Sequence, residues 1–61
     1  MNYVLITISG GIINQVKFYQ DGKEAFRSIE EFVQTMDPER EDAGLYSQEG
    51  MVVNAKHFLD E

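Results

Sequence analysis

Apolar and polar residues alternate in two short runs near the start of the chain, and this pattern predicts two β-strands. The runs are Asn2–Ile8 and Ile12–Tyr19, and both are rich in β-branched and aromatic residues. Ser9-Gly10-Gly11 separates them, and glycine readily adopts the left-handed backbone that a tight turn requires. We therefore expect a β-hairpin.

The length of this turn decides which side chains share a face of the hairpin. A two-residue turn places Ile8 opposite Ile13 and spreads the apolar residues over both faces. A three-residue turn places Ile8 opposite Ile12 instead. Because a one-residue slip moves a whole strand to the other face, we expect the turn that gives the more uniform apolar face. The three-residue turn gathers Val4, Ile6, Ile8, Ile12, Val16 and Phe18 on that face.

An amphipathic helix is predicted from about Lys23 to Met36. Asp21 is a suitable N-cap, and Glu24 three residues later completes a capping-box pattern. Pro38 disfavours helical backbone at Asp37, so the helix should end near Met36. The apolar residues that recur at helical spacing are Ala25, Phe26, Ile29, Phe32, Val33 and Met36. This stripe is expected to cover the uniform apolar face of the hairpin.

The remaining residues predict a second, shorter hairpin. Pro38 and the acidic residues after it favour one helical turn over residues 38–43. Two short apolar runs, Leu45–Ser47 and Met51–Val53, then flank Gln48-Glu49-Gly50. Beyond Val53, we favour a strand that continues through Lys56. A short helix capped by Asn54 is the alternative.

These elements define a single α+β domain over residues 1–61, in the order ββα(ββ). One amphipathic helix is expected to pack on one face of an antiparallel sheet. A chain of 61 residues forms only a small core. It has no cysteine, so neither a disulfide nor a thiolate metal site can supplement that core. Self-association is the usual remaining source of stability.

The charge balance disfavours two classes of partner. The formal net charge is -6, from 5 Lys and Arg against 11 Asp and Glu, and the basic residues are scattered. Nucleic acids and anionic membrane surfaces require clustered cations, so we expect binding to neither. The apolar start carries no cationic leader and breaks at Ser9-Gly10-Gly11, unlike a signal peptide or a membrane span. We therefore expect a cytoplasmic protein.

Residues capable of catalysis or metal binding are few. His57 is the sole histidine, and no serine lies in a nucleophile motif. The acidic run Asp37–Asp42 departs from a calcium loop, because Asp42 and Gln48 stand where glycine and glutamate are required. We expect no catalytic residue, no cofactor and no metal site, and a protein that is not an enzyme.

Four apolar or aromatic residues are left on the other face of the predicted hairpin: Tyr3, Leu5, Ile13 and Tyr19. Exposed apolar patches often mark interaction sites, so we expect a protein–protein interaction module, most simply a homodimer. One alternative is an acidic regulator of a basic partner, such as a toxin or a nucleic-acid-binding protein. Another is a small-ligand binder with a pocket at a dimer interface, to which Tyr19 or His57 contributes.

Overall fold

The computed structural model describes residues 2–59, and its elements follow the order ββαββα. They are β1 (Tyr3–Ser9), β2 (Ile12–Tyr19), α1 (Gly22–Thr35), β3 (Glu41–Ser47), β4 (Gly50–Asn54) and α2 (Ala55–Leu59). The four strands form one antiparallel sheet in the order β2-β1-β3-β4. The predicted α+β class and the antiparallel sheet with a helix on one face are confirmed.

The first turn contains two residues, so the predicted three-residue turn is wrong. Gly10 and Gly11 have φ values of 62° and 82°, and Ile8 lies opposite Ile13. A two-residue turn with positive φ at both positions matches the right-handed twist of hairpin strands, and two consecutive glycines adopt it without strain. Turn chemistry therefore outweighs the uniformity of the apolar pattern at this end of the hairpin.

A β-bulge then corrects the register that this turn imposes. The pairing shifts by one residue between Thr7 and Ile8, leaving Asn14 as the extra residue on β2. Beyond the bulge, Ile6 lies opposite Val16. The face predicted from the sequence is thus largely recovered, although Ile13 belongs to it and Ile12 does not.

Helix α1 begins and ends close to the predicted positions. The Asp21 carboxylate accepts a hydrogen bond from the Lys23 backbone N–H at 2.9 Å. At the other end Met36 is already extended, two residues before Pro38. The capping residue and the proline therefore define this helix from the sequence alone.

The segment after α1 differs from the predicted helical turn over residues 38–43. Only residues 38–40 form a turn, closed by N–H groups of Arg40 and Glu41 that donate to the Asp37 carbonyl. Strand β3 begins at Glu41, because residues 41–47 pair along the whole length of β1. The second hairpin is confirmed, with its turn at Gln48-Glu49.

The favoured strand through Lys56 is wrong, and the helical alternative is correct. The Asn54 side-chain oxygen accepts a hydrogen bond from the His57 backbone N–H at 3.3 Å, as an N-cap does. Helix α2 starts at the next residue, Ala55, which is 1% exposed. Asp60 and Glu61, the last two residues of the segment that follows Val53, lie outside the described residues.

Helix α1 covers the opposite face of the sheet from the one predicted. The buried core contains Leu5, Ala25, Ile29, Val33, Ala43, Leu45, Val53 and Ala55. Leu5 pairs with Leu45, so both central strands point these side chains toward the helix. Thr7 is buried beside them, and its hydroxyl donates to the Gln15 carbonyl at 3.5 Å.

Candidate interaction surface

The sheet face that points away from α1 is apolar across the strands and is covered by no other part of the described chain. Besides Asp42, Gly44 and Asn54, the strand pairings place eight large side chains on this side, which we call the open face: Val4, Ile6, Ile8, Ile13, Val16, Phe18, Tyr46 and Met51. Seven of these eight are large aliphatic, aromatic or thioether side chains without a hydroxyl group, and Tyr46 is the exception.

Exposure is greatest along the two edge strands. Phe18 is 62% exposed, Ile13 61% and Val16 44% on β2, and Met51 is 56% exposed on β4. The residues of the central strands are half-buried, because neighbouring side chains flank them on both sides. Single exposed apolar residues are ordinary, whereas a contiguous group of this size is typical of an interaction surface.

Tyr46 lies over Gly44 in the middle of the open face. A Cβ atom added to Gly44 would stand 2.7 Å from the Tyr46 ring, so only glycine leaves room for the ring in this position. Gly44 lies opposite Ile6, at the centre of the sheet. The aromatic ring thereby shields backbone that a glycine would otherwise leave exposed.

Charge is segregated between the first hairpin and the rest of the chain. All 11 acidic residues follow Gln20 in the sequence, and Lys17 is the single charged residue of β1 and β2. Lys17 pairs with Leu5, so it lies on the helix side of the sheet. The part of the open face that the first hairpin forms is therefore uncharged, and Asp42 on β3 stands at its margin.

The four residues predicted as an interaction face do not lie together on an open surface. Leu5 is 4% exposed and belongs to the core, while Tyr3 and Tyr19 are half-buried against it. Ile13 alone is largely exposed, and it lies on the opposite side of the sheet. The bulge at Asn14 separates Ile13 from the other three, and the alternation read across an unbulged hairpin could not reveal this.

The acidic turn is organised by its own hydrogen bonds. The Asp37 carboxylate accepts from the Glu39 N–H at 3.0 Å, and the Glu41 carboxylate accepts from the Asp37 N–H at 2.8 Å. The Asp42 carboxylate accepts from the Ala43 N–H at 2.8 Å. Within residues 2–59, no group of three His, Cys, Asp or Glu side chains is arranged to hold a metal ion.

His57 lies in an aromatic cluster that joins the two helices. Its ring centre is 5.1 Å from that of Phe58 and 6.4 Å from that of Phe26 on α1, in edge-to-face arrangements. Tyr19 is at the far end of β2 instead, against the core. Tyr19 and His57, which were considered for a small-ligand pocket, therefore lie in different parts of the molecule.

A shallow groove lies on the helix side, between α1 and the outer strand β4. Phe26, Arg27 and Glu30 line it from the helix, and Leu45 and Val52 from the sheet. It is wide open to solvent, and its charges are mixed in sign. It lacks the enclosure typical of small-ligand sites.

Comparisons with known proteins identify no relative. No protein-family model matches the chain, and no curated protein or solved structure is significantly similar to it. No helix among residues 2–59 is long and apolar enough to cross a membrane.

Proposed function

We propose that the protein is a non-enzymatic protein–protein interaction module that works as a homodimer, with the open face as its contact surface. The observation that carries this proposal is the apolar, almost uncharged face that no described part of the chain covers. Burying such a surface is the main favourable contribution to most protein association.

Charge favours a second copy as the occupant of this face. Each copy carries a net charge of -6, so contacts between two acidic surfaces are repulsive. Contacts through the first hairpin avoid this repulsion, because β1 and β2 contain no acidic residue. The open face is therefore the part of the described surface where two copies meet at the lowest electrostatic cost.

A matched pair of valine variants tests the proposal. Val16 and Val52 lie on opposite edge strands and are 44% and 50% exposed, but Val52 borders the helix-side groove instead of the open face. Molar mass is measured by light scattering over a wide concentration range. We expect a dimer for the native chain, at least a tenfold weaker dimer for Val16→Glu and no weakening for Val52→Glu. A native chain that is monomeric throughout would refute the proposal.

The segregated acidity favours a second candidate function, an acidic regulator that binds a basic partner. Glu24, Glu30 and Glu31 are exposed on α1, on the helix side of the sheet. Binding through these residues should weaken steeply as salt rises. Titration with a basic peptide tests it: Glu30→Gln should weaken binding more than Glu49→Gln on the β3–β4 turn. Equal effects would contradict this candidate.

A further inference from the structure

We infer that two copies pack open face against open face, as two layers of sheet with a helix layer outside each. This inference rests on the self-association proposed above and adds its geometry. Sheets packed in this way lie about 10 Å apart, with side chains of both inner faces interdigitating. The alternative is a continuous sheet made by pairing the free edges of two β2 strands.

The area of the open face suits sheet-on-sheet packing. An aromatic side chain has about 150 to 250 Å² of surface to bury, which sets an upper limit for the smaller aliphatic side chains. On that basis, the exposed fractions of four side chains correspond together to roughly 400 Å² of apolar surface. The four are Ile13, Val16, Phe18 and Met51. The half-buried side chains of the central strands add to this. A standard interface takes about 600 to 1,000 Å² from each partner, so this face provides an interface at or below the smaller end of that range.

The edges of the sheet carry features that oppose edge pairing. Strand β2 has a bulge at Asn14 and a lysine at position 17, and both disfavour edge-to-edge association. Strand β4 is only five residues long, and its register shift leaves Val52 unmatched. The open face lacks comparable protection. Edge pairing would also leave Tyr46 and Met51 uncovered, because both lie on the other half of the sheet.

The composition and charge of the face agree with close approach of a second sheet. The Tyr46 ring packs over Gly44, so an aromatic side chain covers the backbone at the centre of the face. The exposed acidic residues of α1 are on the far side of each sheet and would point away from the interface. Packing face to face therefore keeps the α1 glutamates of the two copies apart.

Single-cysteine variants test this geometry cleanly, since the native chain has no cysteine. Ile6→Cys places a thiol at the middle of the open face, opposite Val16 and Gly44. Lys17→Cys places one on the helix side of β2. With a thiol cross-linker of about 10 Å, matching the spacing of packed sheets, we expect linked dimers from Ile6→Cys and none from Lys17→Cys.

Hydrogen exchange on the native protein gives a second readout that needs no substitution. In face-to-face packing, β2 amides that point away from β1 should exchange equally fast at low and high protein concentration. Edge pairing would protect them as concentration rises, and it would link Lys17→Cys instead of Ile6→Cys. Those results in a dimeric protein would overturn the packing geometry and the open face as the contact surface, but not the proposed self-association. A monomer at every concentration would overturn both.

Discussion

The two faces of the sheet contain similar apolar side chains, yet the chain buries only one of them. Leu5 and Leu45 on the helix side are 4% and 1% exposed, whereas Phe18 and Ile13 on the open face are 62% and 61% exposed. Both faces carry apolar residues at alternating positions along their strands, which is the sequence pattern expected of a buried face. Hydrophobicity alone therefore does not decide which face of a small sheet becomes its core.

The second hairpin makes the difference between the two faces. Its helix side presents Ala43, Leu45 and Val53. Its other side presents Asp42 and Gly44 beside Tyr46 and Met51. A helix laid on the open face would bury the Asp42 carboxylate, which is costly without a partner. On the other side, the small side chains of Ala25, Ala43 and Ala55 are nearly inaccessible to solvent in the core between helix and sheet.

The two faces are consequently expected to have different roles. Substitutions on the covered face should change the stability of each copy, and the size of that change should not depend on protein concentration. Substitutions on the open face should change association, and their effect should vary with protein concentration. The predictions that follow test this division.

The largest expected effect comes from truncating one residue on each face, Leu5→Ala and Ile13→Ala. Leu5→Ala should lower the free energy of unfolding by about 2 to 5 kcal/mol, because it leaves a cavity in the core. Ile13→Ala should cost less than about 1 kcal/mol in the monomer, because Ile13 is 61% exposed. Urea unfolding at low protein concentration measures both. Equal losses would mean that the faces do not differ in this way.

The next effect concerns the cap of the helix that covers the core. Asp21→Ala removes the side-chain acceptor of the Lys23 N–H and should cost about 1 kcal/mol. Asp21→Asn should retain most of the stability, since its side-chain oxygen still accepts. The urea midpoints of the two variants provide the comparison. A loss for Asp21→Asn as large as that for Asp21→Ala would point to charge instead of capping.

A smaller effect is expected at the second helix. Asn54→Ala removes the acceptor of the His57 N–H and should cost about 0.5 kcal/mol, because α2 is short and at the end of the described chain. The proton resonances of Phe26 and Phe58 should shift as their ring contact, 5.3 Å between centres, loosens. Asn14→Ala on β2 is the control, and it should leave those resonances unchanged.

The smallest effect is predicted for deleting Asn14. Removing the extra residue turns the bulged hairpin into a regular one without changing which residues lie opposite one another. The free energy of unfolding should change by about 0.5 kcal/mol or less. Cross-strand NMR contacts should still join Ile6 to Val16. Their loss would show that the bulge is needed to hold the two faces in place.

Local signals in the sequence account for most of the secondary structure. The hairpins, Asp21 as a cap and the end of α1 before Pro38 follow from short-range chemistry, and the structure confirms them. Two errors remain in the secondary structure, the first with a long-range cause and the second with a local one. Strand β3 starts earlier than predicted because it pairs with β1, and helix α2 forms where Asn54 caps it.

The candidate surface could be predicted only in part. An uncovered apolar face was expected, and one exists, but three of the four residues assigned to it pack in or against the core. Tyr3, Leu5 and Tyr19 share the face that α1 covers, and the two-residue turn with its bulge places Ile13 on the other face. Bulges have no strong sequence signature, so periodicity read along β2 does not reveal one.

The sequence by itself determined the element types, the turn glycines, the helix cap and the strongly acidic balance, because each depends on neighbouring residues or on composition. Only the tertiary structure decided which face of the sheet is covered. That choice depends on β3 pairing with β1 across more than thirty intervening positions, which aligns Ala43 with Thr7 and Leu45 with Leu5. The first hairpin carries apolar side chains on both sides, and the long-range pairing selects the side that α1 can bury.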